Sequence, residues 1–427
     1  MNTPRQQLLD ALQLYQAGDL PRALMLLEAL DIDSLPAEIQ LEANYLWGVV
    51  LSRRGDPLEA AHRFQLCVRQ NQRFFPALDA WGNVLAGIGD ARGAIEKYKR
   101  ALAVAGPQQS AHVLFNYGTV LLRNGYTLRA LRKFREAFRR NPNNADAAYM
   151  TGICFLNLKR PQGAQKWLSE ALALQPALAR NHTAMGNALF LGRHDARAFA
   201  AFARALEITP SFHDAWYNWS SALAARADYA GAIGKVKQGL AHHPRSFELL
   251  TQQVFCLRQM GAYDAALAAI GKTRNLLREA ESPDRAPHFA DLLAANEAAV
   301  LRALGRARQA RAALLAQLRQ SPGACPNALA ELRYHDTRAL PRARRFELTV
   351  NVQPVTEATM EEDGDRPQKY VRTYWVIAAS IKDARRLVRE MEPQDATVRF
   401  DPQVNLLEHH DNADQGVTER TPAMSAD

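Results

Sequence analysis

A small residue returns about every 34 positions along most of this chain. Gly48, Gly82, Gly118, Gly152, Gly186, Ser220 and Val254 stand in register, with one two-residue slip between Gly82 and Gly118. Each is followed twelve positions later by alanine: Ala60, Ala94, Ala130, Ala164, Ala198, Ala232 and Ala266. A period of this length means an array of stacked units, because one unit cannot bury its own apolar face. It argues against a globular enzyme built around one buried site. The chain is expected to work by offering a long surface to something else.

The unit from Ala111 to Pro142 shows why each repeat is a helix pair. Leu114, Tyr117, Gly118 and Leu121 fall at the i, i+3, i+4, i+7 spacing of one helix face. Asn124-Gly125 breaks that helix. Ala130, Phe134 and Ala137 then mark the inner face of a second helix, and Asn141-Pro142 ends it, since proline lacks an N–H and restrains its predecessor. Gly118 and Ala130 are expected where the two helices cross, with Phe134 filling the space between units. Other units repeat the scheme through Gly82, Ala94, Tyr98 and Ala101, and through Gly186, Ala198, Phe202, Ala205 and Pro210.

These residues resemble the tetratricopeptide repeat, whose signature runs tryptophan, leucine-glycine, tyrosine, alanine, phenylalanine and proline. The stretch from Asp214 to Leu223 (DAWYNWSSAL) is similar to the opening helix of that family. Nine units are expected, at 5–38, 41–74, 75–109, 111–144, 145–178, 179–212, 213–246, 247–274 and 291–322. The first keeps Gly18 and Ala23; the ninth keeps Gly305, Ala310, Leu314 and Pro322. An insertion about 275–290 carries Pro283 and Pro287. The resemblance implies a mainly α fold, a right-handed superhelix of about nine helix pairs over residues 1–322.

It also implies where a ligand would sit. In this family the first helix of each pair lines the concave face. Carried onto this sequence, that face selects Tyr45, Asn83, Phe115, Asn116, Arg123, Tyr149, Asn187, Tyr217, Asn218 and Gln252 as peptide-binding residues. Asn116, Asn218 and Asn296 share one equivalent position, and Asn83 and Asn187 another. Side-chain amides along a groove can hydrogen-bond an extended backbone, while Tyr and Phe supply amphipathic contact area. Chaperone adaptors of this family hold a peptide C-terminus with a Lys/Asn/Asn/Lys/Arg set. Asn83 and Asn116 match two of its members, but Asp79, Asp146 and Met150 stand where cations or a polar residue are needed. Carboxylates there repel a carboxylate, so that subtype is not expected.

After Pro322 the composition changes. Residues 323–344 are basic and read as a linker. Phe346 to Val352 alternates with period two, a strand signal, and Tyr370 to Ala378 reads as a second strand. Met360 to Pro367 reads as a loop, Ser380 as the cap of a helix to about Met391, and Ala396 to Phe400 as a third short strand. The expectation is a small α+β (ββαβ) module over 345–402, docked on the last repeat or pairing its edge with another chain, and an acidic, disordered tail over 403–427.

The remaining features bound the function. A net charge of +9 and a pI of about 9.5 permit an acidic partner, but the arginines of the second helices, such as Arg129, Arg132, Arg135 and Arg139, lack interleaved aromatics. They read as a solvated face, not a nucleic-acid track. Cys67, Cys154, Cys256 and Cys325 show no metal or redox spacing and read as buried thiols of a reducing compartment. The N-terminus lacks a signal-peptide core and no stretch is apolar enough to span a bilayer, so a cytoplasmic location is expected. There is no phosphate loop, HExxH or nucleophile elbow, and His409-His410-Asp411 is not expected to hold a metal. Some glycosyltransferases carry such arrays before a large catalytic domain, for which the roughly 100 residues after the repeats are too few. The expected function is a non-catalytic scaffold or adaptor, without cofactor or metal, binding a peptide or protein in the groove and a second partner at the end module. The alternatives are an accessory subunit of a secretion, envelope or protein-modifying glycosyltransferase system, and a basic nucleic-acid-binding regulator.

Overall fold

The computed structural model describes residues 3–279, 286–320, 325, 327–328, 339–340, 343–353, 370–378, 381–391, 397–410, 413–414, 416–420 and 424–425. The chain divides into two compact units, Met1–Ala215 and Trp216–Asp427. The division falls inside a helix, not at the change of composition near residue 322.

The first unit holds six helix pairs: α1 (Pro4–Ala17) and α2 (Leu20–Glu28), α3 (Ala37–Arg54) and α4 (Pro57–Gln70), α5 (Phe75–Gly87) and α6 (Ala91–Val104), α7 (Pro107–Arg123) and α8 (Thr127–Arg140), α9 (Ala145–Asn157) and α10 (Pro161–Leu174), and α11 (Ala179–Leu191) and α12 (Asp195–Ile208). Helix α13 (His213–Ala225) spans the division. The second unit continues with α14 (Tyr229–His242), α15 (Phe247–Gln259), α16 (Tyr263–Arg278), α17 (Ala286–Ala303) and α18 (Ala307–Gln320). Every expected unit is therefore a pair. The expected insertion shrinks: α16 continues to Arg278, and α17 starts at Ala286 with Pro287 in its first turn, where its missing N–H costs no helical bond.

The small residues stand where the helices of a pair approach. A methyl group on Gly48, Gly82, Gly118, Gly152 or Gly186 would lie 2.5–2.7 Å from Phe64, Tyr98, Phe134, Leu168 or Phe202. Each partner stands sixteen positions on, and all five are at most 1% exposed. The ring of Phe134, expected to fill the space between units, lies on Gly118 within its own pair. The same spacing recurs as Ala11/Leu27, Ser220/Val236, Val254/Ile270 and Ala298/Leu314, all buried. Where the first member grows from glycine to serine or valine, the second shrinks from an aromatic to valine or isoleucine. A larger first residue thus goes with loss of the ring at the second, as close packing requires. The alanines at the +12 position, including Ala60, Ala94, Ala130, Ala164 and Ala198, are fully buried.

Seven positions after each small residue the backbone turns left-handed. Gly125 (φ +79°) does this between α7 and α8, as its turn reading anticipates. Gly18, Gly55, Gly89, Gly261 and Gly305 do the same, but Lys159 (φ +55°), Arg193 (φ +66°) and Ala227 (φ +62°) occupy the position in three pairs. A side chain in this region costs about 1–2 kcal/mol.

In the second unit, Asp291 on α17 is fully buried. Its carboxylate accepts from the backbone N–H of Asn327 (2.9 Å) and Ala328 (2.8 Å) and from the Asn327 side chain (2.8 Å). That fixes the chain beyond the last pair against α17.

The C-terminal part is larger than a three-stranded ββαβ module. Strands β2 (Ala343–Gln353), β3 (Tyr370–Ala378), β4 (Thr397–His410), β6 (Gly416–Arg420) and β7 (Met424–Ser425) form an antiparallel sheet in the order β4-β2-β3-β6, with β7 also on β3; β1 (Ala339–Leu340) pairs β5 (Ala413–Asp414). Register runs through Leu348↔Tyr374 and Val350↔Phe400. Three expectations are corrected here. The third strand runs on to His410, the acidic tail over 403–427 contributes strands, and 339–344 is not wholly linker. Pro402 lies within β4, an edge strand whose ladder shifts register between Val404 and Phe400, the kind of site that accommodates proline. Helix α19 (Ile381–Met391) buries Ala384 and Val388, spaced one turn apart, and meets β2, β3, β6 and α18. The expected loop at Met360–Pro367 and the cap at Ser380 lie outside the described residues.

Candidate functional site: the face of the first helices

Successive first helices touch: α3 meets α5, α5 meets α7, and α9 meets α11. Residues at equivalent turns are therefore neighbours across one face of the first unit. At its centre is a polar cluster. The Asn83 side-chain carbonyl on α5 accepts from the Tyr98 hydroxyl (2.8 Å) and from the Asn116 amide on α7 (2.9 Å). The Asn116 amide also meets His112 Nε2 at 3.0 Å, and His112 Nε2 lies 3.7 Å from the Asp79 carboxylate. Tyr98 is the one hydroxylated member of the large residues packed on a glycine, so the helix crossing itself positions the Asn83 amide.

Asp79 is the unusual member. Its side chain is 17% exposed, and its Oδ1 is buried with no hydrogen-bond partner among the described residues. Burial raises its pKa, and His112 and the Asn83 amide only partly oppose that. Among the described residues its ion-pair partner is His112, with no lysine or arginine beside it. Burial, then Asp79, also raises the Tyr45 phenol.

The sequence-selected residues divide into engaged and open groups. Tyr45 packs on Phe64 and edge-on to Phe74 (5.6 Å), and Phe115 packs on Phe134 (5.5 Å), so both rings help fill the core. Asn83 and Asn116 spend their amides on each other, on Tyr98 and on His112. Tyr149 lies under Arg180, whose guanidinium is 5.0 Å from the ring and pairs with Asp146. Arg123 is exposed, close enough to Tyr98 to oppose the upward shift of its hydroxyl. Asn187 is half-buried and has no side-chain partner among the described residues. In the second unit Tyr217 is 37% exposed, and the Asn218 amide is half-buried with no side-chain partner among the described residues. Gln252 reaches only Cys256 Sγ (4.0 Å), and Asn296 donates to the Leu292 carbonyl of its own helix (2.8 Å). The face thus joins Asn83 with Asn116 and isolates Asn187.

Sequence reasoning missed a second regularity. One residue before the small position stands an aromatic ring, and sixteen positions on stands a cation above it. Arg63 lies 3.5 Å from the Trp47 ring centroid, Lys97 4.2 Å from Trp81, and Lys133 5.3 Å from Tyr117; in the second unit Lys235 is 3.7 Å from Trp219. These cation–π pairs cover the aliphatic stems and tie the two helices of a pair. Burial lowers the pKa of both Arg63 and Lys235. The signal was legible as a sixteen-residue offset of unlike types. Beside the first pair, a cavity of about 720 Å³ is lined by Asp31, Asp33, Asn44, Trp47, Arg63 and Gln70, among others.

The cysteines are buried, and no disulfide joins them among the described residues. Burial pushes the Cys67 and Cys154 thiols up to about 12 and Cys256 to about 11. They are protonated near neutrality and poor nucleophiles. Among the described residues no helix is long and apolar enough to cross a membrane.

A family model described as tetratricopeptide repeat matches residues 80–126 and 118–179. Among solved structures the chain is similar to YrrB, described as a TPR protein with an unusual peptide-binding site, at 22% identity over 44% of this chain and 97% of that one (TM-score 0.38). It is similar to a tetratricopeptide repeat protein from Parabacteroides merdae at 14% identity, over 59% and 98% of the two chains (TM-score 0.49). Pseudomonas aeruginosa pilF matches at 20% identity, over 50% and 96% (TM-score 0.42). No curated protein matches the chain.

Proposed function

From the premise that this chain is a tetratricopeptide-repeat protein, we propose that it is a non-catalytic scaffold whose first-helix face binds an extended peptide segment bearing a basic side chain. The observation that carries this reading is Asp79. A carboxylate mostly removed from water, with one oxygen lacking any donor, is costly unless a cation or donor reaches it. A lysine or arginine of a ligand supplies both. Asn83 and Asn116 then orient the carboxylate and its surroundings, while Asn187 offers an uncommitted amide to a peptide backbone. Tyr149 and Arg123 add contact area at either side. The amides nearest Asp79 are positioning groups in this reading, because their hydrogen bonds are already made within the protein. The thiols, held protonated by burial, supply no nucleophile.

The test is binding of the full chain to an array of extended peptides matched in length, with lysine or arginine, with neutral residues, or with acidic residues. Basic peptides should bind selectively. Asp79→Asn should weaken them by at least about tenfold, the usual size for removing one side of a desolvated charge pair. Asn187→Ala should weaken all binding peptides alike. Preference for acidic peptides, or indifference to Asp79→Asn, would overturn the assignment.

A further inference from the structure

We infer that the edge of the first unit formed by the turns inside its helix pairs docks on an anionic lipid surface. Each pair is antiparallel, first helices touch from α1 through α7 and between α9 and α11, and α8 packs on α9, so the turns joining first to second helices lie along one edge. Two independent features meet there. Exposed apolar side chains stand at these turns: Leu58 (75% exposed), Ile88 (42%), Tyr126 (52%), Leu128 (54%) and Leu191 (39%). Beyond the terminal pair, Leu174 is the exposed large apolar residue at the opposite end of the helices among the described residues of this unit. Beside them are the exposed cations Arg92, Arg129, Lys159, Arg160, Arg193 and Arg197. Asp19, Asp56, Glu59, Asp90 and Asp195 stand on this edge; Glu59 lies 4.0 Å from Arg63, and the others also engage groups within the protein. Asp56 pairs with Arg54, Asp90 accepts from the Gly93 N–H (2.8 Å) to cap α6, and Asp19 accepts from the Arg22 N–H to cap α2. The opposite edge instead carries Asp31, Asp33, Asp146 and Asp214 in or beside its connections.

The backbone adds a third observation. Lys159 and Arg193 hold the left-handed turn position that glycine fills in the other pairs of this unit. Glycine fits that conformation without steric cost. A cation kept there at a cost in stability points to use of its charge. Basic side chains with interspersed leucine, isoleucine and tyrosine suit the boundary of an anionic bilayer, where cations meet headgroups and short apolar side chains enter the acyl margin. Arg129 lies 5.6 Å from the Tyr126 ring centroid, so the ring and the charge sit together at one turn. Charge complementarity selects the bilayer, and the apolar residues distinguish it from nucleic acid, which rewards phosphate contacts and stacking instead.

The experiment is sedimentation of the full chain with vesicles of phosphatidylcholine alone or mixed with phosphatidylglycerol. Binding is expected only with phosphatidylglycerol, and it should fall as salt rises. The double variant Lys159→Gly/Arg193→Gly should bind about fivefold more weakly per cation removed, with a melting temperature equal to or above that of the parent. Leu58→Ser/Leu128→Ser should weaken binding at both low and high salt. Arg73→Gln/Arg139→Gln, which removes two exposed cations from the opposite edge, should leave binding nearly unchanged. Equal loss in that last variant would show mere attraction of a basic protein and overturn the edge. Failure to bind phosphatidylglycerol vesicles, or displacement of the protein from them by duplex DNA or RNA with unchanged binding of Leu58→Ser/Leu128→Ser, would overturn the lipid assignment.

Discussion

A methyl group added to Gly118 would lie 2.7 Å from the Phe134 ring, closer than any relaxed contact permits. Gly118→Leu should therefore lower stability by about 1–3 kcal/mol or more, the usual scale of overpacking, seen as a lower denaturation midpoint. The chain's own pairs supply the rescue. Val254 faces Ile270 and Ser220 faces Val236 at the same offset, so Gly118→Ser with Phe134→Val should couple favourably in a double-mutant cycle. Additive losses would contradict the shared crossing. Asp79 makes the opposite kind of prediction. Its pKa is raised by burial, against His112 and Asn83, with Tyr45 and Tyr98 also nearby. A raised carboxyl costs stability while ionised, and the cost disappears as pH falls through its folded pKa. Asp79→Asn should thus raise the melting temperature at neutral pH, and the gain should vanish in acid below the ordinary carboxylate range. The glycine beat made the crossings legible. Asp79 read only as a misfit for a peptide carboxylate, because its burial depends on α5 and α7 together.

Elements in this chain begin and end by local rules, and the departures are informative. Asn124-Gly125 and Asn141-Pro142 bound α7 and α8 as their chemistry dictates. Lys159 and Arg193 break the glycine pattern at equivalent turns. Replacing either with glycine should raise stability by about 1 kcal/mol, measured by urea denaturation; a loss would mean that the side chain stabilises the turn through contacts. Asp291 is a different case. It anchors Asn327 and Ala328 to α17 from inside the core. Asp291→Ala leaves buried N–H donors without an acceptor and should cost about 1–3 kcal/mol per donor, with faster amide exchange at 327 and 328 as the local signature. Nothing in the sequence marks this aspartate, since its partners lie 36 and 37 residues away.

At the scale of the molecule, a repeat array is stabilised by each pair and its neighbours. In the second unit α19 meets α18 and covers the end of the array. A chain ending at residue 320 should lose exchange protection in α17 and α18, while amides of α5 to α10, in the first unit, keep theirs. Uniform loss would mean that the two units unfold together. The sequence alone determined the helix pairs, their crossings and their turns, because contacts within a pair recur at short offsets of twelve and sixteen residues. It selected the face of the first helices without saying which amides were open, since Asn83 and Asn116 meet 33 residues apart and bond each other. It also misjudged the tail. Strands such as β4 and β6 owe their existence to hydrogen bonds with distant β2 and β3, and local polarity carries no record of those. The tertiary structure decided which polar groups are satisfied, which carboxylate keeps one buried oxygen without a donor among the described residues, and which edge gathers the cations. Those properties belong to neighbours in space, while the beat that opens the chain belongs to neighbours in sequence.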